Sequence, residues 1–236
     1  MKRTSFKFIT ATLFALIVLG QHYASVLTAP NFPAIAARLT TPGPTGLNWL
    51  PFAPPAEQVH WSVTDLDSES FRAFVASLTD GRKDVVRGVY VDGVLALPIV
   101  EQPAGETAYV SEDPGVITLF GSAASYDITG LLAHNYLAGA LFYQLQVGQE
   151  VRVVYGDGAY RRYQVTEVQQ YQKLQPNNLR SELVHLADGR QYATAEVFDR
   201  FYAGDHHVTF QTCLEQNGLS NWGLTFIVAA PITGAP

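Results

Sequence analysis

The chain shows helical periodicity in one early segment and strand-like patterns over most of the sequence after it. In residues 67–78 the apolar positions recur at the spacing of one helix face, behind an Asp or Ser cap: Phe71, Phe74, Val75 and Leu78. Residues 85–90 and 94–100 then alternate or run together as apolar and β-branched residues, and the Asp92-Gly93 pair between them is typical of a hairpin turn. The pattern predicts one amphipathic helix followed by two antiparallel strands.

Short strands dominate the rest of the chain. Further strands are predicted at residues 116–120, 130–133, 151–155, 160–168, 207–213 and 223–228. Residues 135–145 suit a short helix, and residues 176–204 mix loop and helical signals. We therefore predict a mainly β fold, a closed or partly closed β-barrel with a few short helices.

The N-terminal residues have the pattern of an export signal. Lys2, Arg3 and Lys7 precede an apolar run over residues 8–20, so residues 1–29 are interpreted as a signal peptide or a retained membrane anchor. Residues 30–58 form a Pro-rich linker, because seven of the chain's 13 prolines lie between residues 30 and 55. Residues 59–94 are assigned to an N-terminal helix and strand extension, and residues 95–232 to the barrel. The expected location is outside the cytoplasm, either membrane-anchored or extracellular.

Charge and cysteine content exclude several functions. The net charge of −6, from 15 Lys and Arg against 21 Asp and Glu, disfavours nucleic-acid binding. A single cysteine excludes an intramolecular disulfide and a CxxC metal or redox site. No His motif with metal-ligand spacing is present either, so the sequence predicts no metal and no cofactor.

Cys213 is the candidate nucleophile. An unpaired cysteine in an exported protein is buried, joined to another chain or used in catalysis, and all three remain open. Its predicted place at a strand end, before a polar loop, favours catalysis. A thiol nucleophile needs a partner such as histidine, and His134, at the end of an apolar run, is the best placed of six. The alternative is a histidine that only bonds a backbone carbonyl at the edge of the core.

The order of these elements resembles the sortase family of cysteine transpeptidases. The resemblance runs from about Leu95 to Val228 and depends on the Ala-His that ends an apolar strand and on a strand that reads Thr-Phe-Gln-Thr-Cys, residues 209–213. The family hallmark is Thr-Leu-x-Thr-Cys, so Phe210 replaces a leucine. The resemblance implies that Cys213 is the nucleophile and His134 its catalytic partner.

One part of the family pattern is missing. Sortases carry an Arg on the final strand, whereas this chain has no Lys or Arg after Cys213, and Leu224 falls at or near that position. Asn217 and Asn221 are candidate donors to an oxyanion in its place. Asn221 is preferred, although a bulge is needed to turn it inward. Turn residues in Asn-Gly-Leu-Ser-Asn are the alternative interpretation.

The resemblance implies cleavage of an LPxTG-like peptide or protein sorting signal through a thioester and transfer to an amine acceptor. Because the Arg is missing, a peptidase that only hydrolyses and a degenerate sortase-like domain that only binds peptides stay open. An L,D-transpeptidase is disfavoured, because that family has a His-Gly-Cys cluster that is lacking here. Membrane contact through the N-terminal segment is left open, and no nucleic-acid partner is expected.

Overall fold

The computed structural model describes residues 68–232 of the chain. The predicted signal or anchor at 1–29, the linker at 30–58 and the first residues of the 59–94 extension lie outside this part. Within residues 68–232, no helix combines the length and the apolar character needed to cross a membrane.

A single sheet of ten strands forms the framework. Its strands are β1 (Val86–Val91), β2 (Leu95–Glu101), β3 (Ile117–Leu119), β4 (Thr129–Leu132), β5 (Glu150–Tyr155), β6 (Tyr160–Lys173), β7 (Leu183–His185), β8 (Gln191–Tyr192), β9 (Val208–Gln216) and β10 (Leu219–Pro231). Eight of them follow the order β10-β9-β4-β3-β2-β1-β5-β6, and β6 pairs back with β10. The predicted barrel is therefore confirmed and is closed, with β7 and β8 as an extension beyond β6.

All of the helices are short. They are α1 (Glu69–Leu78), α2 (Gly121–Ala124), a 3-10 helix (Ala138–Gln144) and α3 (Thr194–Tyr202). Ser68 caps α1, as predicted, by accepting a bond from the Phe71 amide at 3.2 Å. The boundary placed between residues 94 and 95 falls in the turn between β1 and β2, and β1 also pairs with β5. The barrel thus begins inside the segment assigned to the extension.

Two apolar clusters stabilise the two sides of the barrel wall. The interior cluster includes Val208 and Phe210 of β9 and Leu131 of β4. An outer cluster lies against α3 and includes Leu132 of β4 and, at its margin, Cys213 of β9. Because side chains alternate along a strand, every second residue of β4 and β9 points to this outer face.

The hairpin that joins β9 and β10 corrects the predicted end of the Cys213 strand. β9 continues past Cys213 to Gln216, and the chain turns only at Asn217-Gly218. Both turn residues have positive φ, 52° and 78°, which asparagine and glycine tolerate and which suits a tight two-residue hairpin. The predicted polar loop after Cys213 is therefore mostly strand.

Candidate active site

The structure brings Cys213 and His134 together on one face of the barrel. β4 and β9 are parallel neighbours, with Leu132 paired to Gln211, and each candidate lies two residues further along its own chain segment. The two side chains line one small pocket, whose other lining residues are Leu132, Ala133, Gln211, Thr212 and Leu224. The pocket volume is about 10 Å³, which is room for a single water molecule.

His134 presents an unusual ring nitrogen. The residue is 4% exposed, and its Nε2 is buried without a hydrogen-bond partner among residues 68–232. The Val110 backbone carbonyl raises the pKa of the ring, as an acceptor beside an imidazole N–H does. Because Nε2 has no partner, Nδ1 is the nitrogen that can donate to this carbonyl, and the neutral ring then keeps its lone pair on Nε2.

The other histidines in the described part of the chain have both ring nitrogens occupied. His185 contacts Asp188 and Gln169, His206 contacts the Asp127 carbonyl and the Tyr163 hydroxyl, and His207 contacts the carbonyls of Asp205 and Phe201. His22 and His60 lie outside the described residues. His134 is thus the described histidine with a ring nitrogen free to accept a proton.

Burial keeps the resting pair neutral. Burial raises the pKa of the half-buried Cys213 thiol, and the Lys173 ammonium lowers it by a smaller amount. Burial likewise lowers the pKa of His134, partly offset by the Val110 carbonyl and the Glu112 carboxylate. At neutral pH a thiol therefore faces a neutral imidazole, an arrangement suited to proton transfer as the sulfur attacks.

The 3-10 helix that follows His134 packs directly on the Cys213 strand. Thr212 Oγ1 donates to the Ala133 carbonyl at 2.9 Å, and the Tyr143 hydroxyl donates to the Cys213 carbonyl. A Cβ atom on Gly139 would lie 2.3 Å from Thr212 Oγ1 and 2.7 Å from the His134 carbonyl. Only glycine permits this approach, which sets the spacing between the two candidate catalytic segments.

We expect Gly139→Ala to disturb the site through this contact. The added methyl group must push the helix away from β9, at a cost of about 1–3 kcal/mol in the free energy of unfolding. Thermal unfolding measures that loss. Gly121→Ala is the matched control, because the nearest atom to its Cβ, Gln102 Oε1, is 3.5 Å away. Equal stability of the two variants would contradict the packing argument.

Leu224, Asn217 and Asn221 lie at different distances from Cys213. Leu224 pairs directly with Cys213, is 2% exposed and lines the shared pocket, so an apolar residue stands opposite the nucleophile. Asn217 lies at the exposed hairpin tip, about 13 Å along the strand from Cys213. The β10 register is irregular between Leu219 and Gly223, and Asn221 is buried there, as the required bulge implied.

Asn221 has no amide hydrogen left for an oxyanion in this arrangement. Its Nδ2 donates to the Pro176 carbonyl and to Asn177 Oδ1, both at 3.1 Å. An amide group has two such donors, so both hold the segment that follows β6.

We therefore expect Asn221→Ala to act on stability and not on the chemical step. Loss of these bonds should cost about 1–2 kcal/mol in unfolding free energy. Single-turnover acylation should change less than about tenfold, whereas loss of an oxyanion donor costs about 10²–10³. The control is Asn217→Gly, which keeps the positive φ and should leave both quantities unchanged. A loss of about 10²–10³ in acylation would restore Asn221 as the donor.

Lys173 acts on the Cys213 thiol through its charge and was not among the residues predicted for the site. Lys173 ends β6 and is 2% exposed, a rare environment for lysine. The predicted strand stopped at residue 168, but β6 continues with Tyr171 and Lys173 alternating onto the buried side. If the alternation is continued from residue 168 to residue 173, Lys173 falls on the buried side of the strand.

Comparisons with known proteins concern the fold. Neither a protein-family model nor a curated protein sequence matches the chain. Among similar solved structures, a Clostridium perfringens sortase D5 transpeptidase is 14% identical, with 70% of this chain and 89% of that chain covered and a TM-score of 0.40. A lid mutant of Corynebacterium diphtheriae sortase A is 14% identical, with 72% of this chain and 83% of that chain covered and a TM-score of 0.43. Listeria monocytogenes sortase A is also 14% identical, with 62% of this chain and 86% of that chain covered and a TM-score of 0.39.

The site's chemistry follows from this chain's own residues. Within residues 68–232, no cluster of three or more His, Cys, Asp or Glu side chains is placed to hold a metal ion. The thiol of β9 and the imidazole two residues past the end of β4 line one pocket, because β9 and β4 are parallel neighbours in a closed barrel. The Thr-Phe-Gln-Thr-Cys strand thus lies beside the strand that leads to Ala-His in a closed eight-stranded barrel, the arrangement expected from the resemblance.

Proposed function

We propose that the protein is a cysteine transpeptidase of sortase type, which cleaves a peptide sorting signal through a thioester on Cys213 and transfers the acyl fragment to an amine. The observation that carries this proposal is the pocket shared by Cys213 and His134, with Nε2 of His134 unpartnered. A buried imidazole nitrogen without a partner is costly for stability alone. Proton transfer to and from the thiol gives that nitrogen a use.

The acylation step balances with these two groups. Cys213 Sγ attacks the scissile carbonyl carbon, and its proton passes to Nε2 of His134. The C–N bond then breaks, and His134 returns this proton to the leaving amine, so a C–S thioester remains.

Deacylation runs the same transfers toward a new acceptor. An incoming amine attacks the thioester carbonyl and gives a proton to Nε2 of His134, and the C–S bond breaks. The cysteine recovers its proton, and the product contains a new amide bond. Water in place of the amine would yield a free acid, which is the hydrolytic alternative.

The substrate class follows from the resemblance in residues 209–213. We propose an LPxTG-like peptide or protein as acyl donor, a primary amine as acceptor, and a site of action outside the cytoplasm, to which residues 1–29 direct the chain. The pocket has room for only one water molecule, so peptide entry requires movement of its walls. Tyr136, stacked on the His134 ring at 5.2 Å, and Tyr143 are the exposed aromatic residues beside it.

Intact-mass analysis tests the proposal. The protein is incubated with a panel of LPxTG-like peptides, with and without a primary amine, and quenched in acid. A mass increase equal to the acyl fragment identifies a thioester, and a peptide–amine product identifies transfer. Free acid alone would identify a hydrolase, and binding without any adduct would leave only the peptide-binding domain.

A further inference from the structure

Lys173 is a buried cation that the proposed chemistry has not yet used. It is 2% exposed, and its Nζ donates to the Pro176 carbonyl. No carboxylate among the described residues forms an ion pair with it. An ammonium has three donors, and a buried one without an opposite charge is costly. A purely structural role explains this residue poorly.

The sheet register places Lys173 on the same face as the Cys213 thiol. Tyr171 of β6 pairs with Leu224 of β10, which pairs with Cys213 of β9, and Lys173 follows Tyr171 by two residues. Neighbouring strands lie ~4.8 Å apart, so β6 and β9 are separated by about 10 Å, and Lys173 lies a further two residues, about 7 Å, along the strands from the row that contains Cys213. The flexible four-carbon stem of lysine covers part of this gap.

The hydrogen bonds show the direction in which the ammonium reaches. Lys173 Nζ and Asn221 Nδ2 both donate to the Pro176 carbonyl, the latter at 3.1 Å. Asn221 belongs to β10, the strand between β6 and β9. The ammonium therefore lies close to Asn221, on the β10 side of Lys173, which is the side toward β9.

The electrostatics agree with this placement. Lys173 is the charged group that lowers the pKa of Cys213, and the Cys213 thiolate in turn favours the charged form of Lys173, whose pKa burial lowers. The other titratable groups around Cys213 are His134, Tyr136 and Tyr143, together with two carboxylates that act on them: Glu112 on His134 and Tyr136, and Glu215 on Tyr143. The histidine and both tyrosines are uncharged at neutral pH, because burial lowers the pKa of His134 and raises that of each tyrosine.

We propose that Lys173 is the cation of this site, which acts through Cys213 by stabilising negative charge on its sulfur. This inference rests on the proposed function for its biological use. The cation comes from the strand on the far side of β10, which explains how a chain without Lys or Arg after the nucleophile retains a positive charge there. Arg180, Arg190 and Arg200, the other cations near this sequence segment, are exposed.

The test measures the thiolate directly and needs no peptide substrate. Cys213 is the only cysteine, so alkylation by iodoacetamide, followed by intact mass from about pH 6 to about pH 10, reports its ionisation. Lys173→Met should move the profile to higher pH and slow alkylation at neutral pH about tenfold. Lys173→Arg should stay within about threefold of wild type, and exposed Lys83→Met is the matched control.

The outcomes separate this inference from the proposed function. If Lys173→Met and Lys173→Gln both keep the wild-type profile, the proposal is overturned, whatever their stability. An equal shift with Lys173→Arg would also overturn it, since the charge would then not be the cause. If Lys173→Met shifts the alkylation profile but the wild-type protein never forms a thioester, the role of Lys173 as the cation is supported and the transpeptidase function is refuted.

Discussion

Cys213→Ala should abolish thioester formation, and this is the largest effect expected for any single substitution. The chain has no second thiol, so nothing else can form the C–S bond. Removal of a nucleophile of this kind costs on the order of 10⁶ in turnover, which leaves no measurable product. The half-buried thiol has little volume, and unfolding free energy should change by less than about 1 kcal/mol.

The measurement is intact mass after incubation with LPxTG-like peptide, alongside thermal unfolding. Cys213→Ser is the second variant. It keeps a small polar side chain of similar shape but has no thiol, so it should also form no thioester. Both variants should bind peptide as wild type does. Product formation by Cys213→Ala at the wild-type rate would refute cysteine catalysis in this chain.

The barrel could be predicted from the sequence because its strands carry local signals. The Asp92-Gly93 turn, the run before His134 and the Thr-Phe-Gln-Thr-Cys strand are each readable within a few residues, and all correspond to observed elements. Closure of the barrel requires pairing between β6 and β10, which lie far apart along the chain. No local pattern encodes such a pairing, and the choice between closed and partly closed needed the structure.

The site was only partly predictable for the same physical reason. Cys213 stands out as the single cysteine, at the end of a predicted strand, and His134 as the polar residue that ends an apolar run. Lys173 became part of the site through the lateral order β6-β10-β9, which places it two strands from the thiol. Whether Asn221 can donate to an oxyanion depends on the direction of its amide group. That direction is set by hydrogen bonds to the Pro176 carbonyl and to the Asn177 side chain, which the sequence does not show.

His134→Gln should nearly abolish turnover while it leaves the thiol reactive. General acid–base catalysis contributes about 10²–10⁴, so acylation should fall by that factor. The imidazole is neutral at rest, because burial lowers the pKa of His134, and it therefore contributes little to the ionisation of Cys213. The pH profile of iodoacetamide alkylation should accordingly stay close to wild type, unlike that of Lys173→Met.

The different effects of His134→Gln and Lys173→Met distinguish a residue that transfers a proton, His134, from one that only supplies a positive charge, Lys173. His185→Gln is the matched control, because both ring nitrogens of His185 are already occupied by Asp188 and Gln169. That variant should acylate at the wild-type rate. If His134→Gln instead moved the alkylation profile strongly to higher pH, the resting pair would be a thiolate and an imidazolium. If it acylated as fast as the His185 control, His134 would be a core-edge histidine bonded to the Val110 carbonyl, and its unpartnered Nε2 would have no part in the reaction.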